Sequence, residues 1–285
     1  MSMSTNILKE YINKDHLSNL DTIKNNYKNN NPFPHIVLDN FINDEILSVI
    51  EKEFPKLDKV LPIEFENNIF KKKAWNDVNC FPKNTRDLFY FLNSSAFITW
   101  LNQITDVKET LIPDPDFFGG GLHECYNGGF LKVHIDYHKH NKTHLDRRLN
   151  ALIYLNKDWK EEYGGHLQLF NQKNLKTPEC KILPKFNRIV IFSTTDRSYH
   201  GHPDPLNCPI DKSRKSIATW YYSNGRDDVE NNWLFRKNTT FWVNRDKSDN
   251  VKNPPFTIKD RLRKYTILRK INNFFKNKLI DSDKK

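Results

Sequence analysis

No apolar run in the 285 residues approaches the roughly 20 that a membrane-spanning helix needs. Residues 1–20 are polar and lack the hydrophobic stretch of a secretory signal. Cysteine is scarce, and Cys80, Cys125, Cys180 and Cys208 stand far apart with no Cys-X-X-Cys pair. That spacing reads as free thiols in a reducing compartment rather than as a disulfide framework. The expected setting is soluble and cytoplasmic. No internal repeat is present. A basic surface over the whole protein is missing too, despite the net charge of +10. Residues 258–285 hold ten Lys or Arg against three Asp, a balance of +7 that leaves only +3 for the remainder. A nucleic-acid partner is therefore not expected. What is present is a chain with 13% aromatic residues, long enough to bury a full core as one large or two small domains.

The N-terminal part reads as helical. Residues 5–30 are weakly amphipathic and predict a helix packed loosely on the body, ended by Asn-Pro-Phe-Pro at 31–34. A short strand is expected at 35–38. Asn43 caps a helix running to about Phe54, with acids in its first turn. Further helices are expected over 86–92 and 95–104, the second with Phe97, Trp100 and Leu101 on one face as core residues. From Asp114 onward strands and turns dominate. Gly119-Gly120-Gly121 is read as a turn, because no helix N-terminus follows it to make a phosphate site. Strands are expected at 122–126, 130–136, 150–156, 166–170, 188–192 and 216–222, a spacing that suggests an antiparallel sandwich or jelly roll. Behind a capping-box-like start at 257–260, a basic amphipathic helix is expected, docked by its apolar stripe, meeting an acidic partner or lying on a membrane surface.

The chemistry centres on Phe-Leu-Lys-Val-His-Ile-Asp at 130–136. In a strand, residues two apart share a face, so His134 and Asp136 aim an imidazole and a carboxylate at one point. A second histidine arriving from a distant strand would complete a two-histidine, one-carboxylate triad with open metal positions. Tyr-His-Gly-His at 199–202 supplies candidates in His200 and His202. Arg214, Ser216, Ala218 and Trp220 share one parity on the next strand. A buried arginine there needs an anion, and a bound carboxylate suits its bidentate fork.

Six ordered segments within residues 122–222 resemble the Fe(II)/2-oxoglutarate-dependent dioxygenase superfamily, in its prolyl 4-hydroxylase-like branch. They are Tyr126 before a glycine turn, His134-Ile-Asp136, the run from Arg147 through Tyr154 to Trp159, Gly164-Gly165 with the strand after it, Tyr199-His200-Gly201, and Arg214-Lys-Ser216. The resemblance implies an α+β fold with a mainly β core, a double-stranded β-helix of cupin-like jelly-roll type with supporting N-terminal helices and the basic C-terminal helix. It divides the chain into an N-terminal helical extension (1–30), an oxygenase domain (31–225) and a C-terminal extension (226–285).

It further implies His134, Asp136 and His200 as Fe(II) ligands and catalytic residues. Arg214 would meet the distal carboxylate of 2-oxoglutarate, helped by Tyr154 and Ser216, with Tyr126 beside cofactor and metal. Asn150 and Leu152 share the parity of Tyr154 and should face the pocket, Trp220 would close one wall, and Arg147 is a substrate-contacting or surface arginine. With O2 as co-substrate and ascorbate as a possible reductant, the implied reaction hydroxylates an unactivated C–H bond and releases succinate and CO2. The expected substrate is a prolyl residue of a protein or peptide. Free proline, another amino acid or a small metabolite is the alternative, and a jelly-roll binding module the non-enzymatic one. The segment between His200 and Arg214 is longer than is usual in the family, leaving Lys212 and Lys215 as alternatives to Arg214. His138, His140 and His144 are read as loop histidines near the pocket mouth, and Asp158-Trp159 as a turn and packing anchor.

Overall fold

Apolar spacing sorts the chain into helices first and strands afterwards. The computed structural model describes residues 3–54, 63–67, 69–226, 239–245, 249 and 251. Helices α1 (Met3–Tyr11), α2 (Asp15–Ser18) and α3 (Leu20–Asn29) lead into strand β1 (His35–Leu38) and helix α4 (Asp44–Glu53). Strands β2 (Ile63–Glu66) and β3 (Phe70–Trp75) precede helices α5 (Lys83–Leu92) and α6 (Ser95–Thr105). Strands follow almost without interruption: β4 (Ile112–Pro113), β5 (Gly121–Cys125), β6 (Phe130–Ile135), β7 (Asp146–Tyr154) and β8 (Leu167–Phe170). The series ends with β9 (Cys180–Ile182), β10 (Ile189–Ser193), β11 (Tyr199–His202), β12 (Arg214–Ser223) and β13 (Phe241–Trp242).

The strands pair in the order β1-β10-β7-β12-β5-β3-β6-β11-β8-β9, and the pairings are antiparallel. Strand β3 pairs with both β5 and β6, joining two halves whose inner residues line one cavity. This is the double-stranded β-helix expected from the sequence. Outside the larger half lie the helices. Phe97, Trp100, Leu101 and Ile104 of α6 are buried in a cluster with Leu149, Ile217 and Tyr221, which fixes the back of the sheet. Ser94 caps α6 by accepting from the Phe97 N–H, and Asn43 caps α4 by accepting from that of Glu45.

The segment expected as one loosely packed helix over 5–30 is three helices held firmly. Ile12, Ile23 and Tyr27 are buried, and the Tyr27 hydroxyl lies 2.6 Å from Ser193 Oγ. The break follows from Ile12 leaving the helix to bridge Ile42. Strand β13 pairs with β6, so this part of residues 226–285 joins the sheet. The expected basic C-terminal helix lies outside the described residues. Among the described residues, no helix is long and apolar enough to cross a membrane.

Candidate metal and co-substrate site

His134 and Asp136 extend from the end of β6, and His200 from β11, where His200 is the register partner of His134. The close pairing of these strands depends on Gly201. A Cβ there would stand 2.8 Å from the Leu131 carbonyl oxygen and 2.9 Å from that of Lys132. One metal-ligating atom from each of His134, Asp136 and His200 lies within 4.8 Å of the others. His134 Nε2 is 3.7 Å from one Asp136 oxygen, and His200 Nε2 is 3.4 Å from the other. The Nδ1 atoms face backbone carbonyls, that of Lys132 at 2.8 Å and that of Ser198 at 2.9 Å. A carbonyl only accepts, so each Nδ1 carries a proton and Nε2 is the ring atom left to face the shared point. Two imidazoles presenting Nε2 and a carboxylate on one side of an open space fit Fe(II).

Burial pushes the Asp136 carboxyl up, but the Arg147 guanidinium and then His200 and His134 outweigh it, holding the group well below the usual carboxylate range. Burial, and then His134, bring His200 down to about 4, against the pull of Asp136. Asp136 also accepts from Asn150 Nδ2 at 2.7 Å and pairs with Arg147 at 3.2 Å. Arg147 in turn donates to Asn150 Oδ1 and lies between the rings of Trp220 and Tyr137, 4.1 and 4.5 Å from their centroids. The carboxylate is thus locked in place from behind. Trp242 lies against His134 (centroids 4.8 Å) and Phe192 against His200 (4.7 Å).

The same cavity, about 460 Å3, extends along the inner faces to Arg214 on β12. Arg214 is buried; its Nε donates to the Gly165 carbonyl at 2.7 Å and its Nη2 to the Tyr154 hydroxyl at 3.3 Å. Gly165 is required at that contact, since it adopts φ +70° and a Cβ would lie 2.9 Å from Arg214 Cδ. Ser216, Asn150, Leu152, Trp220 and Arg147 line the cavity, as do all three members of the His-Asp-His cluster. Tyr154 is fully buried behind Arg214, holding the guanidinium rather than facing the open space.

Tyr126 is the exception. It is 42% exposed, donates its hydroxyl to Glu124 at 2.8 Å and does not line the cavity, so the expectation that it lies beside the metal is corrected. Strand alternation supplies the reason, because His123 and Cys125 of β5 face inward and the next residue turns away. Arg147 is not a surface residue but one of the most buried side chains. Sequence reasoning missed Lys72, His123, Cys125, Trp242 and the inward position of His202. Parity on β5 could have found His123 and Cys125; nothing local announced Trp242. His138 and His140 are buried in the loop after β6, where His140 Nδ1 accepts from the backbone of Lys142 and Thr143. Trp159 anchors its turn by donating to the Gly164 carbonyl at 3.0 Å.

A double-stranded β-helix with a His-Asp-His cluster at one end of its cavity and a buried arginine at the other defines a class of non-haem oxygenase folds. Residues 121–222 match the 2OG-Fe(II) oxygenase superfamily. The matched segment contains His134, Asp136, His200 and Arg214, and the superfamily is an oxidoreductase group whose cofactors are Fe(II) and 2-oxoglutarate. The chain is 25% identical over 195 residues to prolyl 3-hydroxylase OGFOD1 of Mus musculus, a match covering 67% of this chain and 33% of the relative. The chain thus spans about a third of that relative's length. In fold it is similar to a prolyl-4-hydroxylase of Pseudomonas putida (15% identity, TM-score 0.50, covering 71% of this chain and 100% of the other). It is similar as well to a prolyl hydroxylase of Trichoplax adhaerens, solved with a hypoxia inducible factor peptide fragment (18% identity, TM-score 0.51, covering 73% and 92%).

Proposed function

We propose that this chain is an Fe(II)- and 2-oxoglutarate-dependent dioxygenase that hydroxylates a prolyl residue of a protein or peptide, with release of succinate and CO2. The observation that carries this reading is the convergence of His134 Nε2, Asp136 and His200 Nε2 within 4.8 Å, with each Nδ1 spent on a backbone carbonyl. In this reading those three residues hold the iron. Arg214, with Ser216 beside it and Tyr154 behind it, holds the distal carboxylate of 2-oxoglutarate. The bound iron and 2-oxoglutarate supply the oxidising power for cleaving an unactivated C–H bond. The chain's own work is to fix and shield the reactants. Asn150 and Arg147 keep Asp136 ionised and oriented, and the walls of Phe118, Tyr137, Trp220 and Trp242 exclude water from the reacting centre.

A prolyl substrate is supported by the relatives' named activities and by this aromatic lining, since proline-rich segments dock against aromatic walls. A reducing, cytoplasmic setting belongs to the same reading, supported by four cysteines that form no disulfide. The test is incubation with a panel of prolyl peptides and with free amino acids, followed by mass spectrometry. A peptide should gain the mass of one oxygen atom, and His134→Ala should abolish the gain while remaining folded. Oxidation of free amino acids alone, or undiminished activity in His134→Ala, would refute the reading.

A further inference from the structure

Of the large apolar side chains left exposed among the described residues, only Phe118, 39% exposed, also lines the cavity. Being both, it stands at the cavity's opening. Its backbone is held there by the cavity's own walls. The Phe118 carbonyl accepts from the Tyr137 hydroxyl at 2.8 Å and from Trp220 Nε1 at 3.1 Å. His123 Nε2 lies 3.1 Å from the next carbonyl, that of Gly119. Phe117 adopts φ +48°, a costly conformation for a phenylalanine, and its carbonyl accepts from the Gly120 N–H at 2.9 Å. Such strain persists only where the surroundings over-determine it, and it clusters at sites that clamp a ligand. The glycine run lets the turn press against the sheet: a Cβ on Gly120 would stand 2.8 Å from the Ala218 carbonyl oxygen.

Tyr137 and Trp220 also grip the Arg147 guanidinium, which pairs with Asp136. One set of contacts therefore ties Phe118 to the metal-ligating carboxylate and fixes its position relative to the reacting centre. The Phe118 ring is braced by Tyr137 and His140, with centroids 5.8 and 6.0 Å away. The nearby charges offset each other, since Asp116 pairs with Lys142 at 2.5 Å. Apolar contact is then the main term available to a chain entering at this point.

Resting on the function proposed above, we propose that Phe118 is a specificity-determining residue that receives an apolar side chain flanking the target proline of the substrate. An extended chain advances ~3.3–3.6 Å per residue. A fixed apolar contact at the entrance and a fixed centre inside therefore select one register, and with it peptides that carry an apolar neighbour at one particular position.

The test reads binding, not turnover. Fluorophore-labelled peptides carry a central Pro in a Ser background, with a single Leu moved through the positions on either side. Their binding to the full chain loaded with Co(II) and 2-oxoglutarate is followed by anisotropy. One Leu position should bind about fivefold or more tighter than the Leu-free peptide, as burial of a few methylene groups does. Phe118→Ala should remove that advantage without weakening the Leu-free peptide, and Phe118→Leu should keep most of it. Should Phe118→Ala not fold, Phe118→Gln carries the same comparison. A preference that survives Phe118→Ala, a loss shared equally by the Leu-free peptide, or no preferred position in the unaltered protein would overturn the proposal. Failure of the unaltered protein to bind Co(II) and 2-oxoglutarate would instead bring down the function itself.

Discussion

Arg147 is the residue on which the geometry of Asp136 rests. Its guanidinium is the first of the charges that keep the buried carboxylate ionised, and it is wedged between two aromatic rings. Removing one partner of such a pair leaves an uncompensated buried charge, at a cost of about 3–5 kcal/mol. Arg147→Met should therefore lower the melting temperature of the metal-free protein markedly. A divalent ion would replace the missing cation, so Co(II) should raise the melting temperature of the variant more than that of the parent. Equal rises in calorimetric scans would show that Arg147 is not the counter-charge. At this scale the sequence was partly legible. Parity put Asn150, Leu152, Ser216 and Trp220 on inward faces, and each lines the cavity. The resemblance, not parity, had placed Tyr126 beside the metal; alternation along β5 turns His123 and Cys125 inward and Tyr126 away. Parity could not weigh Arg147, whose burial depends on Tyr137 and Trp220 from two other segments.

Between β6 and β11, the element that matters is the bare backbone of Gly201. Any side chain there meets two carbonyl oxygens of the neighbouring strand below 3.0 Å, and backbone cannot swing aside. Gly201→Ala should push β11 away from β6 and separate His200 from His134, at a stability cost of about 1–3 kcal/mol. A titration with Co(II) should show affinity at least tenfold weaker, while far-ultraviolet dichroism stays close to that of the parent. Unchanged affinity would mean that the strands tolerate the extra carbon. Most strands of the core were readable from apolar alternation, and β1 falls where the sequence put it. Strand β3 was not, because Phe-Lys-Lys-Lys-Ala-Trp reads as a charged surface segment. Its place in the sheet comes from pairing with β5 and β6, which sets Trp75 opposite Leu122 and Phe70 opposite Leu131, and Lys72 lines the cavity.

Over the whole molecule, folding buries histidines in their neutral form. His35 and His123 both lie below their ordinary value of 6.5, burial being the main cause in each and Lys72 adding to it at His123. The unfolded chain takes up these protons near pH 6.5 and the folded chain only at lower pH. Their contribution to stability is therefore complete above about pH 6.5 and is lost as the pH falls below it. Denaturant unfolding of the metal-free protein should show stability declining from pH 7 to pH 5. The double variant His35→Gln, His123→Gln should show a shallower decline; an identical slope would place the proton uptake elsewhere.

The architecture was legible at this scale because six short motifs occur in one order along the chain. Packing of the N-terminal helices was not, since Ile12 and Tyr27 are anchored by Ile42 and Ser193, far away in sequence. The central claim, that one cavity holds iron at His134, Asp136 and His200 and 2-oxoglutarate at Arg214, is tested most directly by anaerobic spectroscopy. Fe(II) and 2-oxoglutarate together should produce a weak visible charge-transfer band that neither gives alone and that Asp136→Ala abolishes. A folded protein that gives no band with both present, or one whose Asp136→Ala variant keeps it, would contradict the account.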